Sequence, residues 1–202
     1  MQTKKIVLAS NNPGKLKEFQ ALFEPLSLHV IPQGQLGVSE ANEPYGTFLE
    51  NALTKARHAS AVTGMPAVAD DSGLCVIALD GAPGVYSARY AQLHEAGKGD
   101  ADNNRLLLAR MQNQTQRKAC FVSVLVYVNH PEDPRPIVAE GVWWGEIADQ
   151  PIGDNGFGYD PIFYVPDLDC TAAQLSAEQK NHFSHRAQAL KILAQRLAEL
   201  HN

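Results

Sequence analysis

Four short stretches carry residue types able to do chemistry together. Ser10-Asn11-Asn12-Pro13-Gly14-Lys15 follows the apolar run at 6–9. Asn12 suits a helix N-cap and Pro13 the first helical position, so the stretch turns a strand directly into a helix. The unpaired N–H groups and positive dipole end of such a start favour an anion. Gly14 lets an anion approach the backbone, Lys15 adds a full charge, and Ser10 and Asn11 offer further donors. The spacing is not that of the phosphate loop G-x-x-x-x-G-K-[ST]. Taken alone, the stretch reads equally well as an ordinary strand-to-helix turn with a solvated lysine.

Asp70-Asp71-Ser72-Gly73 stands at the end of an apolar run. Adjacent carboxylates repel, so keeping both ionised favours a cation beside them, a lysine or a metal. Carboxylate and phosphate oxygens together are the usual surroundings of Mg²⁺. The competing reading is a solvated turn, because the same four residue types are good turn formers. Glu43 is a candidate second metal ligand, with Glu40 as its rival, and Lys55 becomes a phosphate clamp if its helix face turns toward the same place.

Two stretches suit a planar base. Phe157-Gly158-Tyr159-Asp160 follows a flexible Gly-Asp-Asn-Gly loop, so Phe157 could stack on a ring and Asp160 could accept from a base or ribose. Tyr159 reads better as a plug for the core. Ser184-His185-Arg186, preceded by Lys180, offers donors of fixed geometry at a helix start, and reads alternatively as a charged surface.

The elements that must position these residues alternate between strand and helix, which makes the class α/β. Strands are expected at 6–10, 28–31, 67–69 and 74–79, with two long antiparallel ones at 120–128 and Ile137–Ile147. A helix is expected over 15–26, with Leu16, Phe19, Leu22, Phe23 and Leu26 on one face. Thr47-Phe48-Leu49-Glu50 is a capping-box signature, followed by Leu49, Ala52, Leu53, Ala56, Ala59 and Val62 at helical spacing and a stop at Gly64. Further helices are expected at 104–111 and 184–200, the last with Leu190, Leu193, Leu197 and Leu200 on one face. Residues 33–46 and 153–160 read as loop, and 81–104 as an excursion that is partly loop.

Composition removes several classes of function. The chain has 202 residues, 45% of them hydrophobic, and a formal net charge of -5. That suits one large domain or two fused lobes with a real core, and argues against a nucleic-acid or membrane-surface binder. No apolar run approaches the ~20 residues of a membrane span, and no signal-peptide core is present, so a cytoplasmic protein is expected. The 3 cysteines form no C-x-x-C pair and support neither a disulfide framework nor a thiolate metal site.

LASNNPGK, TFLENALTKA with PAVADDSGL, GAPGVYSARY, and FGYDPIF followed by SHRAQAL occur in this order from end to end. Together they resemble the non-canonical purine NTP pyrophosphatases, also called inosine/xanthosine triphosphate pyrophosphatases. The resemblance implies one two-lobed domain over residues 1–202, an elongated α/β structure with a long mixed, twisted sheet flanked by helices, and the nucleotide in a cleft between the lobes. It implies Mg²⁺-dependent hydrolysis of ITP, dITP and XTP to the monophosphate and pyrophosphate by a homodimer. By matching positions, Ser10, Asn11, Asn12, Pro13, Gly14 and Lys15 would bind the triphosphate. Asp71 would be the catalytic carboxylate and metal ligand, with Asp70 beside it, Lys15 and Lys55 as catalytic cations, and Glu43 as a further metal ligand. Ser72 would touch the substrate. Phe157, Gly158, Tyr159, Asp160, Lys180, His185 and Arg186 would recognise the base. One departure is local: the family pattern E-x-G-x-T-F reads Glu43-Pro44-Tyr45-Gly46-Thr47-Phe48 here, with the glycine one place later. A pyrophosphatase for other modified nucleotides, and a nucleotide sensor without turnover, are the alternatives.

Overall fold

The computed structural model describes residues 4–199. Leu200, and the side chains of Leu22 and Leu26, lie outside the described residues. A 7-stranded sheet runs in the order β2-β1-β3-β4-β5-β6-β7. The strands are β1 (Lys4–Leu8), β2 (Leu28–Pro32), β3 (Ala67–Val76), β4 (Lys118–Val128), β5 (Ile137–Ile147), β6 (Phe163–Val165) and β7 (Cys170–Thr171). β1 pairs parallel with β2 and β3, while β6 pairs antiparallel with β5 and β7, so the sheet is mixed. The helices are α1 (Pro13–Phe23), α2 (Phe48–Thr63), α3 (Tyr90–Leu93), α4 (Asp100–Arg110), α5 (Ala177–Phe183) and α6 (His185–Glu199).

The chain divides into two compact units, with the boundary falling inside β3, β4 and β5. The first comprises Met1–Asp71, Ser123–Gly141 and Gln188–Asn202. Its core gathers Ile6 and Leu8 of β1, Phe19 and Phe23 of α1, Leu125 of β4, and Leu190, Leu193 and Leu197 of α6. The i, i+3, i+4 spacing read from the sequence for α1 and α6 thus marks their buried faces. The second unit comprises Ser72–Val122 and Val142–Ala187, and closes around Phe121, Trp143, Tyr159 and Phe163.

Two expectations fail for instructive reasons. Residues 67–69 and 74–79 are not two strands separated by a turn. β3 runs unbroken through Asp70-Asp71-Ser72-Gly73 and ends before a 3-10 turn at Ile77–Leu79. Asp70 and Asp71 are buried, at 3% and 8% exposure, because each finds a cation to hold it. On α2, Leu49 and Val62 are exposed, and the buried face is Asn51, Ala52, Ala56, Ala59 and Ser60. Small side chains let that helix approach closely, and the polar residue among them faces a charged partner.

The cap of α2 is also only half of a box. The Thr47 hydroxyl accepts the Glu50 N–H at 3.3 Å, but the Glu50 carboxylate takes the hydroxyl proton at 2.6 Å. Complete boxes occur where the sequence reading assigned nothing, at Thr171 with Gln174 and Ser176 with Gln179, the latter starting α5.

The connection from β4 to β5 is tied by Asp133. Its carboxylate accepts the backbone N–H of Asn129 and of Arg135, each at 2.9 Å, and the Asn129 amide at 3.3 Å. Burial pushes the Asp133 carboxyl up, but these donors outweigh it and hold it below the usual carboxylate range. A depressed native pKa stabilises the fold above the unfolded value and loses that contribution as pH falls through the native one. Asp133→Ala should cost about 1–3 kcal/mol at neutral pH. Denaturation at pH 7 and pH 3 checks this: the gap from wild type should shrink at pH 3, and a gap independent of pH would contradict it.

Candidate active site

In the first unit, β1 delivers the chain to Asn12, whose side-chain oxygen caps α1 by accepting from Gly14 N at 2.9 Å and Lys15 N at 3.2 Å. The Asn12 N–H is taken by the Ser10 hydroxyl at 3.1 Å. These donors of the helix start are therefore engaged internally, contrary to the expectation that they stand open. The Asn11 oxygen accepts the Gly34 N–H at 2.8 Å, and a Cβ at Gly34 would lie 2.5 Å from that oxygen, so a side chain at 34 would displace the Asn11 amide. With both asparagine oxygens bound to backbone, their Nδ2 groups are the donors left for a ligand.

Successive side chains of a strand point to opposite faces, and Asp70 and Asp71 use this alternation. Asp70 meets Lys15 at 2.8 Å and accepts from the Ser123 hydroxyl of β4 at 3.0 Å. Asp71 meets Lys55 at 2.8 Å, and the same ammonium lies 2.9 Å from Glu43. Asn51 fixes the loop that carries Glu43. It accepts from Tyr45 N and donates to Tyr45 O, each at 3.1 Å, and reaches Asp71 at 3.5 Å.

Lys55 thus serves two carboxylates, and their ionisation reflects it. Burial pulls the Lys55 ammonium down, but Asp71 and Glu43 outweigh it and hold it above an ordinary lysine. For Asp71, burial pushes the carboxyl up, Lys55 pulls it down, and Glu43 and Asp70 add to the upward push, which prevails. One ammonium thus stands against two carboxylates.

A cavity of about 190 Å³ opens among Asn11, Asn12, Lys15, Lys55, Asp70 and Glu40. Glu40 lines it, whereas Glu43 bonds to one of its lysines. Among the described residues no group of three or more His, Cys, Asp and Glu could hold a metal. A divalent cation here would have few protein ligands, and the oxygens of Asp71 and Glu43 with their unneutralised charge fit one completed by phosphate and water.

In the second unit, Phe157 is 61% exposed, with the Lys180 ammonium 4.6 Å from its ring centre. Lys180 is ion-paired to Asp160, which also accepts the Phe157 N–H at 2.9 Å. Asp160 is buried, and one of its carboxylate oxygens holds the loop. Tyr159 is buried too, its hydroxyl donating to Ser87 O at 2.8 Å, which places it in the core. His185 and Arg186 are buried at the start of α6, rather than forming a charged surface. The His185 ring stacks on Phe121 at 4.9 Å, and Arg186 donates to the Ser72 hydroxyl at 3.4 Å. None of the three cysteines is in a disulfide, and the Cys75 thiol is pushed up by its hydrogen bond to Cys120 and by burial.

Sequence reasoning assigned no site role to Asn51 or Ser123. Ser123 had a signal, as a lone hydroxyl inside the apolar run of β4. Asn51 stands among the small residues of the α2 face.

A mixed α/β sheet carrying two lysine–carboxylate pairs beside an asparagine-capped helix defines a protein built to handle a polyanion. The chain belongs to the Ham1 family, whose model matches residues 6–196. It is 60% identical over 199 residues to a dITP/XTP pyrophosphatase of Ralstonia nicotianae, covering 98% of this chain and 99% of that one. It is 60% identical to a dITP/XTP pyrophosphatase of Burkholderia pseudomallei, covering 97% and 94%. The solved structure of a HAM1 protein from Coxiella burnetii superposes with a TM-score of 0.92 at 48% identity, covering 97% and 99%.

Proposed function

We propose that this chain hydrolyses non-canonical purine nucleoside triphosphates, dITP, XTP and ITP, to the monophosphate and pyrophosphate. The observation that carries the reading is the pair of lysines, Lys15 and Lys55, held by adjacent carboxylates on opposite faces of β3. The names of close relatives supply the substrate class.

The triphosphate is assigned to the first unit. The Nδ2 groups of Asn11 and Asn12 donate to phosphate oxygens, with Ser10, Pro13 and Gly14 shaping the turn. Lys15 and Lys55 take up the charge that develops on the pyrophosphate leaving group, the main electrostatic task in such chemistry. Two lysines facing four carboxylates, Glu40, Glu43, Asp70 and Asp71, cannot balance a polyphosphate. Mg²⁺, held by Asp71 and Glu43, would supply the missing positive charge and polarise phosphate oxygens. Asp71 orients the attacking water and accepts its proton as the water oxygen bonds to the α phosphorus and the bond from that phosphorus to the α–β bridging oxygen breaks, releasing pyrophosphate. Asp70 keeps Lys15 in place.

The base is assigned to the second unit. Phe157 stacks on it, and Gly158 gives the turn that presents the ring. Hypoxanthine and xanthine carry a 6-oxo acceptor where adenine carries an amino donor. Arg186, a donor only, pairs with the first and is left mispaired by the second, aided by His185, Lys180 and Ser72. A buried mismatch of this kind supports discrimination of about 10⁴. The family resemblance also supports a homodimer working in the cytoplasm. No helix among the described residues is long and apolar enough to cross a membrane.

The test is pyrophosphate release from dITP, XTP, dGTP and dATP, with Mg²⁺ and with EDTA. The expected result is metal-dependent pyrophosphate from dITP and XTP and little from dATP, with dGTP, which shares the 6-oxo group, rejected through its 2-amino group. Orthophosphate as product would refute the cleavage site. Binding without turnover would make the chain a sensor.

A further inference from the structure

The loop that presents Phe157 is held by more than its own residues. Asp100 and Asn104 lie one turn apart on α4, at the i, i+4 spacing that shares a helix face. Asp100 accepts the Gly158 N–H at 2.7 Å, and Asn104 donates its amide to the Gly158 carbonyl at 2.9 Å. The peptide planes on both sides of Gly158 are therefore fixed. Gly158 sits at φ 62°, a left-handed conformation that a side chain would strain.

The hold extends to Phe157 itself. Its own N–H is taken by Asp160, and the peptide that follows it is taken by Asp100. Two carboxylates from separate helical elements thus set the backbone of one residue whose ring is left 61% exposed. Core packing does not explain an exposed aromatic ring on a backbone so firmly held. Preorganisation for a flat ligand does, because it removes the ordering cost of binding.

Asn104 adds a second indication. It is 8% exposed, and its amide oxygen is buried without a hydrogen-bond partner among the described residues. An unpaired buried acceptor costs stability, and an apolar residue would avoid that cost. The group that does bond is the one directed at Gly158.

We infer that Asp100 and Asn104 are positioning residues for base recognition: they hold the Gly158 turn and so aim the Phe157 ring. The inference rests on the functional reading above and adds two residues to it. Both lie outside every stretch that carried the family resemblance.

The test compares wild type with Asp100→Ala, Asn104→Leu and the conservative Asp100→Asn, which keeps an acceptor for the Gly158 N–H. Hydrogen exchange at the Gly158 amide is followed in the protein alone, and KM and kcat are measured on dITP and dATP. In Asp100→Ala the Gly158 amide should exchange at least about tenfold faster, and KM for dITP should rise about tenfold, the loss expected for one charged hydrogen bond. kcat should change less than KM, the dITP/dATP ratio should narrow, and Asp100→Asn should recover most of both. Asn104→Leu should raise KM while leaving the melting temperature unchanged or higher. A loss of kcat at constant KM and constant ratio would mark a merely structural role and overturn the inference. Faster Gly158 exchange with unchanged KM would overturn it too. Absence of dITP turnover in wild type would instead sink the substrate reading, while the exchange data would still decide whether Asp100 holds the turn.

Discussion

Asp71→Asn should lower dITP hydrolysis by about 10³-fold while leaving the protein folded. The size follows from what one carboxylate does in charge-stabilised and proton-transfer chemistry. An amide has the same shape but no charge, so it would bind a divalent cation poorly and could not take a proton from water. The fold should survive, because Lys55 keeps its 2.9 Å partner Glu43 and Asn51 keeps an acceptor at position 71. Removing the charge also relieves the burial cost that chiefly pushes Asp71 up, and the smaller repulsion from Glu43 and Asp70. Pyrophosphate release and a thermal melt on the same preparation check both halves. A variant retaining a tenth of wild-type turnover would remove Asp71 from the centre of the mechanism.

Asp160→Ala should have the opposite signature, a large loss of stability. The Asp160 side chain is 3% exposed and that of Lys180 17% exposed. Deleting one member of a buried ion pair typically costs about 3–5 kcal/mol, because the other charge is left without compensation. The lower end applies here, since the Lys180 stem can carry its ammonium to water. The Phe157 N–H would also lose its acceptor. Denaturant unfolding should give a midpoint well below wild type with a similar slope. A change under about 1 kcal/mol would show that Lys180 relaxes freely and that the pair does not hold the loop.

What the sequence disclosed was governed by how local each signal is. The Asn12 cap, the Gly64 stop and the apolar faces of α1 and α6 depend on neighbours a few residues away, and they were legible. The capping boxes at 171–174 and 176–179 are equally local, each a Thr or Ser followed three residues later by Gln. The unbroken course of β3 was not legible. Asp-Asp-Ser-Gly has the chemistry of a turn, and only Lys15, Lys55 and Ser123, brought in from distant segments, let two carboxylates lie inside a strand. The same holds for α2, where Leu49 and Val62 fit the helical period better than Asn51 does. Which face turns inward was decided by a charged partner 20 residues away in the chain. The structural tie of Asp160 is not legible in its own loop. Its partner Lys180 lies on another helix.

The alternation of Asp70 and Asp71 sets a limit on how this chain can vary in length. A strand's side chains reverse face at every residue, so inserting or deleting one residue within β3 ahead of Asp70 would send each carboxylate to the other's side. Lys15 would then face the partner of Lys55, and Ser123 would lose the oxygen it serves. No single substitution could repair this, because both networks would be exchanged at once. The connection at 129–136 carries no such parity and can lengthen or shorten at little cost beyond the Asp133 tie. Natural length differences among relatives should therefore collect in connections of that kind, and β3 should keep its count.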